Sequence, residues 1–358
     1  MQTTHRFIYE DSRAMNLITG GAIDLVITSP PYPMIEMWDR QFAKLNPEID
    51  RFLQDDDYCG AFEAMHLELD KVWEELYRVM KEGALACINI GDAARTINRR
   101  FRLFANHARV QKKFADLGFD LLPLILWRKP TNAPNKFMGS GMLPGGAYVT
   151  LEHEYILLFR KQGRRLFTSA ADKMNRRQSA YFWEERNTWF SDLWNFQGTR
   201  QANNRYGMRA RSGAFPFELP FRLVNMYSVF GDTVLDPFSG TGTTALAAMA
   251  AGRNSINLEV DSAYSGPVKE RIFKEFATLE GHNRLRIGKH LEFVRTFRNK
   301  KNGLKYNNSH YGFPVMTGQE QDLKLAFAGT LEETEEGCLR VTYLDGRQVA
   351  GQGDDRLC

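Results

Sequence analysis

Residues 231–244 read Gly-Asp-Thr-Val-Leu-Asp-Pro-Phe-Ser-Gly-Thr-Gly-Thr-Thr, and this stretch decides the predicted fold. Its apolar run at 233–236 predicts a strand, the loop that follows contains Gly240 and Gly242, and an alanine-rich helix comes next. The strand after that helix ends in Glu259, 19 residues beyond Gly240. This arrangement is typical of nucleoside binding, because glycines let the backbone approach a ligand and the carboxylate accepts hydrogen bonds from ribose hydroxyls.

The glycine loop leaves two other interpretations open. A single Gly-x-Gly is a weak signal by itself, and a similar loop can hold a phosphate. A phosphate loop typically has Gly-Lys followed by Ser or Thr, whereas here Gly242 is followed by Thr243. Asp236, just before the loop, would also repel a phosphate and suits a ligand with an amine or a positive charge. The residues therefore favour an adenosine-type ligand that carries no phosphate.

A second motif, Ser29-Pro30-Pro31-Tyr32, directly follows the apolar run at 23–28. In an open α/β sheet, ligands bind outside the carboxyl ends of the strands. The two prolines fix the backbone and leave carbonyl groups that can accept hydrogen bonds from an amino group. Ser29 adds a hydroxyl and Tyr32 adds a flat ring. The motif suits a planar aromatic amine, although by itself it could also be an ordinary turn.

The rest of the chain alternates between strand-like and helical segments, which predicts an α/β fold with a mainly parallel sheet and helices on both faces. The strand-like runs are 24–28, 84–90, 120–127, 154–160, 233–236 and 255–259. The helical segments are 60–81, 99–117, 216–229, 243–251 and 264–280. Residues 33–58 and 130–147 are predicted to be long loops, the first with room for short helices.

In this order the two motifs resemble those of the amino-group DNA methyltransferases of the permuted β class, in which the catalytic motif precedes the S-adenosylmethionine motif. Smaller segments also resemble that family, over about residues 5–275: Tyr9-Glu10-Asp11-Ser12, Asn89-Ile90-Gly91-Asp92, residues 152–161 and residues 215–220. One departure is Arg211-Ser212-Gly213-Ala214, where family members often carry a histidine.

The resemblance implies a Rossmann-like, S-adenosylmethionine-dependent methyltransferase fold. It implies that Ser29, Pro30, Pro31 and Tyr32 are the catalytic residues. The cofactor-binding residues that it implies are Asp11, Phe215, Pro216, Asp236, Pro237, Phe238, Ser239, Gly240, Thr241, Gly242, Thr243 and Glu259. Family members that accept adenine mostly have Asp or Asn at the position of Ser29, and the serine version is typical of enzymes that methylate cytosine N4. The expected reaction is therefore methylation of the exocyclic amine of a cytosine that is flipped out of duplex DNA.

Other functions compete with this expectation. Adenine-N6 methylation is the nearest alternative. RNA and protein-amide methyltransferases usually carry Asn-Pro-Pro-Tyr after the cofactor motif, whereas here the tetrapeptide comes before it. A DNA-binding module without catalytic activity would not need both motifs to be complete.

The distribution of charge agrees with a DNA substrate better than the net charge of +4 does. Residues 95–113 contain seven Lys or Arg and no acid, residues 176–211 contain seven against three, and residues 284–305 contain eight against one. A single basic run is usually a solvated helix face, but three runs favour a surface that follows phosphates. The family places its target-recognition region at about 162–212. We expect this region to read the bases of double-stranded DNA, and the other two runs to contact phosphates.

The remaining expectations concern organisation and location. The methyltransferase catalytic domain is predicted to span 1–298, with a small appendage or tail at 299–358. The four cysteines are scattered, which supports neither a zinc site nor a disulfide framework, and no metal is expected. The chain shows neither a signal peptide at its start nor an apolar stretch long enough to span a bilayer, which favours a cytoplasmic, nucleoid-associated protein. A cognate restriction endonuclease as partner, and the choice between monomer and homodimer, stay open.

Overall fold

The computed structural model describes residues 1–97, 100–129, 138–198, 215–298, 304–334 and 337–346. Its strands are β1 (Gln2–Ile8), β2 (Ile23–Thr28), β3 (Met80–Ile90), β4 (Ala93–Ile97), β5 (Arg100–Phe104), β6 (Phe119–Arg128), β7 (Met138–Gly139), β8 (Ala147–Tyr148), β9 (His153–Lys161), β10 (Leu193–Asn195), β11 (Thr233–Asp236), β12 (Asn254–Leu258), β13 (Tyr306–Asn307), β14 (Pro314–Val315), β15 (Phe327–Glu333) and β16 (Leu339–Leu344). Its helices are α1 (Glu36–Leu45), α2 (Glu48–Gln54), α3 (Tyr58–Val79), α4 (Asn106–Asp116), α5 (Ala170–Gln178), α6 (Trp183–Trp189), α7 (Glu218–Tyr227), α8 (Thr243–Ala251) and α9 (Ser265–Arg298).

Most strands of the described chain lie in one sheet, in the order β10-β6-β9-β3-β2-β11-β12-β1-β16-β15. The five strands from β3 to β1 in this order run parallel to one another. Strand β9 is antiparallel to both of its neighbours, and β16 is antiparallel to β1 and β15. The predicted α/β fold with a mainly parallel sheet is confirmed.

Both faces of the central sheet are covered by helices. All six residues of β2 are buried, as expected for a parallel strand between two helical layers. Val26 packs into the hydrophobic core that contains α3 and α4, whereas Leu25 and Ile27 pack into the core that contains α7, α8 and α9. Successive side chains of a strand point to opposite faces, so the alternation along β2 divides the core in two.

Strands β2 and β11 lie side by side at the point where the direction of the chain through the sheet reverses. From β2 the chain passes through α1, α2 and α3 to β3 on one side, and from β11 it passes through α8 to β12 on the other. A crevice outside the carboxyl ends of the strands is expected at such a switch point. The tetrapeptide at 29–32 and the loop at 237–242 both begin at this edge.

The segment predicted as a helix at 99–117 is different in the structure. Residues 93–97 and 100–104 form the antiparallel hairpin of β4 and β5, and α4 begins only at Asn106. The hairpin is fixed to the chain after the tetrapeptide, because Arg95 donates to the Met34 carbonyl at 2.6 Å and pairs with Asp39. Asn106, at the start of α4, ties the same region together, because its side-chain Nδ2 donates to the carbonyls of Pro33 and Gly91, both at 3.0 Å.

The two predicted loops differ in how much of them the structure describes. The loop predicted at 33–58 contains the short helices α1 and α2. Of the loop predicted at 130–147, residues 130–137 lie outside the described residues. In the remainder, β7 and β8 pair as two short antiparallel strands.

The described part of the tail continues the sheet. Residues 327–333 and 339–344 form β15 and β16, and β16 pairs with β1 along Gln2–His5. The sequence suggested a small appendage after residue 298, whereas these two strands extend the same sheet as the strands that carry both motifs. Helix α9 runs on to Arg298, beyond the predicted end at 280. Within the described residues, no helix is both long enough and apolar enough to cross a membrane.

Candidate active site

The loop between β11 and α8 depends on glycine at two positions. Gly240 and Gly242 have φ angles of +48° and +78°, in a region of backbone conformation that residues other than glycine rarely adopt. A Cβ atom on Gly242 would also lie 3.2 Å from Cγ1 of Val268 on α9. The amide of Gly242 donates to the Ser239 carbonyl at 2.9 Å, which closes the turn. The loop therefore presents backbone to the crevice.

Arg271 on α9 holds the far side of this loop. Its guanidinium donates to the Thr241 carbonyl at 2.8 Å, to the Thr241 hydroxyl at 2.7 Å and to the Thr243 hydroxyl at 3.0 Å. Glu275 on the same helix orients the guanidinium. The sequence did not indicate this contact, because Arg271 lies 30 residues beyond Thr241 in a helix that reads as an ordinary charged surface.

Glu259 directly follows β12 and faces the glycine loop. One carboxylate oxygen accepts the amide of Gly240 at 3.0 Å, and the other accepts the amide of Asp261 at 3.0 Å. Burial, together with the nearby charge of Asp261, raises the pKa of Glu259, although these amide bonds oppose the rise. Each carboxylate oxygen can accept two hydrogen bonds, so part of the acceptor capacity of this side chain is left for a ligand.

Asp236, at the end of β11, joins the two loops. Its carboxylate accepts hydroxyl bonds from Thr28 and Thr244, both at 2.6 Å, and the amide of Phe238 at 3.1 Å. The residue is 2% exposed, and burial raises the pKa of its carboxyl from 3.8 to about 6 in spite of these bonds. The predicted cofactor residue Asp236 thus has its oxygens bonded to the protein, where it links the end of β2 to the start of α8.

The segment after β1 is tied to the same region. The Ser12 hydroxyl donates to the Pro237 carbonyl. Asp11 pairs with Arg13 at 2.7 Å, and Arg13 also pairs with Glu68 on α3. Burial opposes ionisation of Asp11, but the hydrogen bonds from Arg13 outweigh it and lower the pKa of this carboxyl. The Asp11 side chain remains 39% exposed.

The other predicted cofactor residues lie at the ends of neighbouring elements. The Ser239 amide donates to the Leu258 carbonyl at 2.8 Å, and the Phe238 ring meets Trp73 edge-on with the ring centres 6.2 Å apart. Phe215 is buried in the core with α7, and the Pro216 carbonyl accepts the Leu219 amide at 3.1 Å at the start of that helix.

The tetrapeptide after β2 carries a chain of hydrogen bonds. Pro30 and Pro31 are buried, whereas Ser29 and Tyr32 are partly exposed. The Ser29 Oγ lies 3.0 Å from the Tyr32 hydroxyl, which donates to Oε2 of Glu154 at 3.0 Å. Burial, followed by the charge of Glu154, raises the pKa of Tyr32 well above its ordinary value. Tyr32 therefore keeps its proton and acts as a donor to the carboxylate.

Two further side chains complete this chain of bonds. Asn89 Nδ2 donates to the Tyr32 hydroxyl at 2.9 Å and to Glu154 Oε2 at 2.7 Å, and Lys129 binds the other Glu154 oxygen. These residues meet because β3 ends at the same edge at which the antiparallel strand β9 begins. Both residues lie in segments that resemble the methyltransferase family, but nothing in the sequence indicated that Asn89 and Glu154 would bind Tyr32.

The structure divides the first basic run into paired and unpaired cations. The cations of α4 face acids: Arg109 pairs with Glu63 and Asp70, Lys112 with Asp116, and Lys113 with Glu74. On β5, by contrast, Arg100 and Arg102 make no ion pair within the described residues, and Arg102 contacts the Cys59 sulfur at 3.7 Å. Within the described part of this run, the arginines without an ion pair therefore lie on the β4–β5 hairpin, which is bound to the chain just after the tetrapeptide.

The other two basic runs are described only in part. Arg286 forms a buried pair with Glu185, Arg284 pairs with Glu280, and Arg177 pairs with Asp322. The first pair joins α9 to α6, the second lies within α9, and the third joins α5 to the chain at Asp322. Residues 199–214, which include the end of the predicted target-recognition region and the departure at 211–214, lie outside the described residues, as do residues 299–303 of the third run.

One cluster of side chains has the composition of a metal site. Ligand atoms of Glu184, His290 and Glu320 lie within 4.8 Å of one another in the described chain. His290 bonds Glu184 at 2.8 Å and the Pro314 carbonyl at 2.9 Å, so both of its ring nitrogens are engaged. Glu320 accepts the amides of Trp183 and Thr317. The cluster therefore joins α6 and α9 to the C-terminal segment.

Comparison with known proteins agrees with this geometry. The family described as DNA methylase (N6/N4 type) matches residues 23–270. The Type II methyltransferase M.MthZI of Methanothermobacter thermautotrophicus is 50% identical over 338 residues, which cover 93% of each chain. Type II methyltransferase M.MjaI of Methanocaldococcus jannaschii is 48% identical and covers 75% of this chain and 91% of its own. The solved structure of TTHA0409 from Thermus thermophilus, complexed with S-adenosyl-L-methionine, is 32% identical, has a TM-score of 0.58, and covers 76% of this chain and 95% of its own.

Proposed function

The chain belongs to the N6/N4 DNA methylase family, and we propose that it methylates the exocyclic N4 amine of cytosine in duplex DNA. It is a DNA methyltransferase with the fold of the S-adenosylmethionine-dependent enzymes, and S-adenosylmethionine is its cofactor. The observation that carries the choice of cytosine is Ser29. This neutral hydroxyl stands at the head of the hydrogen-bond chain, one residue beyond the Thr28 side chain that binds Asp236.

The residues present fit the nucleoside part of this cofactor. The glycine loop offers backbone without side chains, and Glu259 keeps acceptor capacity for ribose hydroxyls. We assign the cofactor to the predicted set, with Glu259 on the ribose, the loop at 237–243 beside it, and Asp11, Phe215 and Pro216 at its margins. When bound, S-adenosylmethionine supplies an electrophilic methyl group.

Replacing Glu259 tests the cofactor assignment. Loss of a charge-assisted hydrogen bond costs about 1.5–3 kcal/mol, so Glu259→Ala should weaken S-adenosylmethionine binding roughly ten- to a hundredfold in calorimetry. Glu259→Gln keeps an oxygen for the Gly240 amide and should lose less. Unchanged affinity in a folded Glu259→Ala protein would remove Glu259 from the site.

We assign positioning of the target amine to the tetrapeptide. The amine is a weak nucleophile, because its lone pair is delocalised into the ring. The Ser29 Oγ and the Pro30 carbonyl can each accept one N–H, which favours a tetrahedral nitrogen whose lone pair points toward the cofactor side. No covalent intermediate with the protein is required. Tyr32 can offset part of the cost of flipping the base by stacking, and its hydroxyl is held by bonds to Ser29, Asn89 and Glu154.

The product identifies the base. Unmethylated plasmid DNA incubated with the protein and S-adenosylmethionine can be digested to nucleosides and compared by mass spectrometry with N4-methylcytosine and N6-methyladenine standards. We expect N4-methylcytosine. N6-methyladenine instead would contradict the assignment of the base while leaving the fold and cofactor intact.

The unpaired arginines of the β4–β5 hairpin support phosphate contacts next to the target base. We expect the double variant Arg100→Ala/Arg102→Ala to bind all duplexes more weakly and to lower the salt slope of binding by about one to two, at roughly 0.9 per lost phosphate contact. Lys112→Ala is the matched control, because Lys112 already pairs with Asp116. Equal salt slopes for the double variant and the wild type would exclude the hairpin from the DNA interface.

Recognition of the bases is assigned to residues 162–212, since the aromatic and basic side chains of this segment suit contacts in the major groove. We place the protein in the cytoplasm at the nucleoid, where its substrate lies. A cognate restriction endonuclease that cuts the same sequence is the proposed partner. Protection of host DNA from such a nuclease, and the mass of the protein in solution, test the partner and the oligomeric state.

A further inference from the structure

We propose that Glu154 is a positioning residue for methyl transfer, which sets the direction of the hydrogen bonds that end at Ser29. This inference rests on the proposed function, because it concerns how Ser29 meets the target amine. Glu154 is held at the start of β9, opposite Trp127 of β6, and its side chain is 15% exposed. It lies 122 residues from Tyr32 in the sequence, yet it binds the Tyr32 hydroxyl.

Counting the hydrogen atoms fixes the direction of the chain. The Glu154 carboxylate, paired with Lys129, only accepts hydrogen bonds. The single hydroxyl hydrogen of Tyr32 therefore goes to Glu154, and the Tyr32 oxygen is left as an acceptor. The Ser29 hydroxyl, 3.0 Å away, consequently donates its hydrogen to Tyr32. The Ser29 Oγ is then left only as an acceptor. Asn89 Nδ2 approaches it at 3.5 Å, the outer limit of a hydrogen bond, so the lone pairs of the Oγ can take the hydrogens of the target amine.

The contacts of Asn89 favour the same direction of hydrogen bonding, from Ser29 through Tyr32 to Glu154. The residue is 2% exposed, and its Nδ2 faces both Glu154 and the Tyr32 hydroxyl. Since Glu154 only accepts, the amide must turn its nitrogen toward it, and the buried Oδ1 has no partner among the described residues. The two hydrogens of Asn89 are thus committed to the same network. The two short contacts of Asn89 Nδ2 are to the Tyr32 oxygen and to Glu154, and its contact with Ser29 Oγ is the longest of the three, at 3.5 Å.

Because Lys129 is charged, replacing Glu154 by glutamine is expected to reverse the direction of the hydrogen bonds that end at Ser29. In Glu154→Gln, the carboxamide oxygen would turn to the ammonium of Lys129, and its NH2 group would face Tyr32. Tyr32 would then donate to Ser29, and the Ser29 hydrogen would point at the target amine. A donor in that place opposes the amine hydrogens, although the volume and packing of the side chain are unchanged.

The test measures transfer of a tritiated methyl group from S-adenosylmethionine to unmethylated plasmid DNA. We expect Glu154→Gln to lower kcat about ten- to a hundredfold, the effect of one lost charge-assisted hydrogen bond. The KM for DNA and the affinity for the cofactor should not change. Glu152→Gln is the matched control and should be as active as the wild type, because Glu152 lies two residues earlier and pairs with Arg128 at the surface.

A second variant separates direction from general damage to the site. In the double variant Lys129→Met/Glu154→Gln, the carboxamide is free to turn its oxygen toward Tyr32, so kcat should recover above that of Glu154→Gln alone. A double variant that is no faster than Glu154→Gln, or a Glu154→Gln protein with the kcat of the wild type, would overturn the inference while the wild type stays active. A wild type that methylates no DNA would overturn the proposed function itself.

Discussion

Ser29→Ala is expected to lower the rate of methyl transfer to duplex DNA by about a hundredfold, the usual cost of removing one preorganised hydrogen-bond partner of the reacting group. Some activity should remain, because the Pro30 carbonyl still accepts one amine hydrogen. Single-turnover kinetics with labelled S-adenosylmethionine measures the rate, and calorimetry should show unchanged cofactor affinity. The expected pattern is a loss in the chemical step alone.

The methylated base that is formed tests the role of Ser29 and the mechanism in a second way. If Ser29→Ala forms N4-methylcytosine as fast as the wild type, the hydroxyl does not hold the amine. If the wild type forms C5-methylcytosine, the proposed mechanism is wrong. Methylation of that carbon requires a nucleophilic cysteine that adds to the cytosine ring. Cys87 is a poor candidate for that role, because burial raises the pKa of its thiol, and Cys59 is exposed on α3.

Asp236→Asn is expected to change how the stability of the protein depends on pH. Burial raises the pKa of Asp236 from 3.8 to about 6 in the folded protein, so the native state binds this proton more tightly than the unfolded chain. The stabilisation by protonation is complete below about pH 4 and is lost as the pH rises through about 6. The two-unit shift corresponds to about 3 kcal/mol, which wild-type protein loses across this window and the neutral asparagine variant does not.

Urea unfolding of both proteins at a series of pH values measures this difference, and acids common to both proteins cancel in it. Asp120→Asn is a suitable control, because Asp120 is exposed and pairs with Arg160. A constant difference in the free energy of unfolding between wild type and Asp236→Asn from about pH 4 to about pH 7 would show that the Asp236 carboxyl is not held in its buried form. The residue would then be free to contact the cofactor directly.

The sequence predicts the centre of the sheet well, because the strands there are continuous apolar runs. Strands β2, β9 and β11 fall at or near the predicted segments. Strand β1 escaped prediction, since two of its buried positions are Thr3 and His5. Polar side chains that are buried through bonds to distant residues leave no hydrophobic pattern; His5, for example, bonds to Ser255.

The motifs predict which loops form the candidate site, but they do not predict the hydrogen bonds between the side chains there. The partners of Tyr32 come from β3 and β9, far along the chain. Strand β5 lies inside the segment predicted as a helix at 99–117, because its arginines read as a basic helix face. The ends of the β4–β5 hairpin, Ala93 and Phe104, are buried by contacts that local sequence does not encode.

The position of β1 constrains the order in which the protein can fold. Residues 2–8 lie between β12 and β16, and the Met1 carbonyl accepts the amide of Tyr343 at 3.1 Å. Strand β1 leaves the ribosome long before β16 does, so the edge of β1 that pairs with β16 stays unpaired while the intervening chain is synthesised. Such a high contact order slows folding and leaves strand edges open to aggregation in the meantime. Shortening the chain before β16 would leave the edge of β1 unpaired for good, so these two distant strands share one cooperative unit.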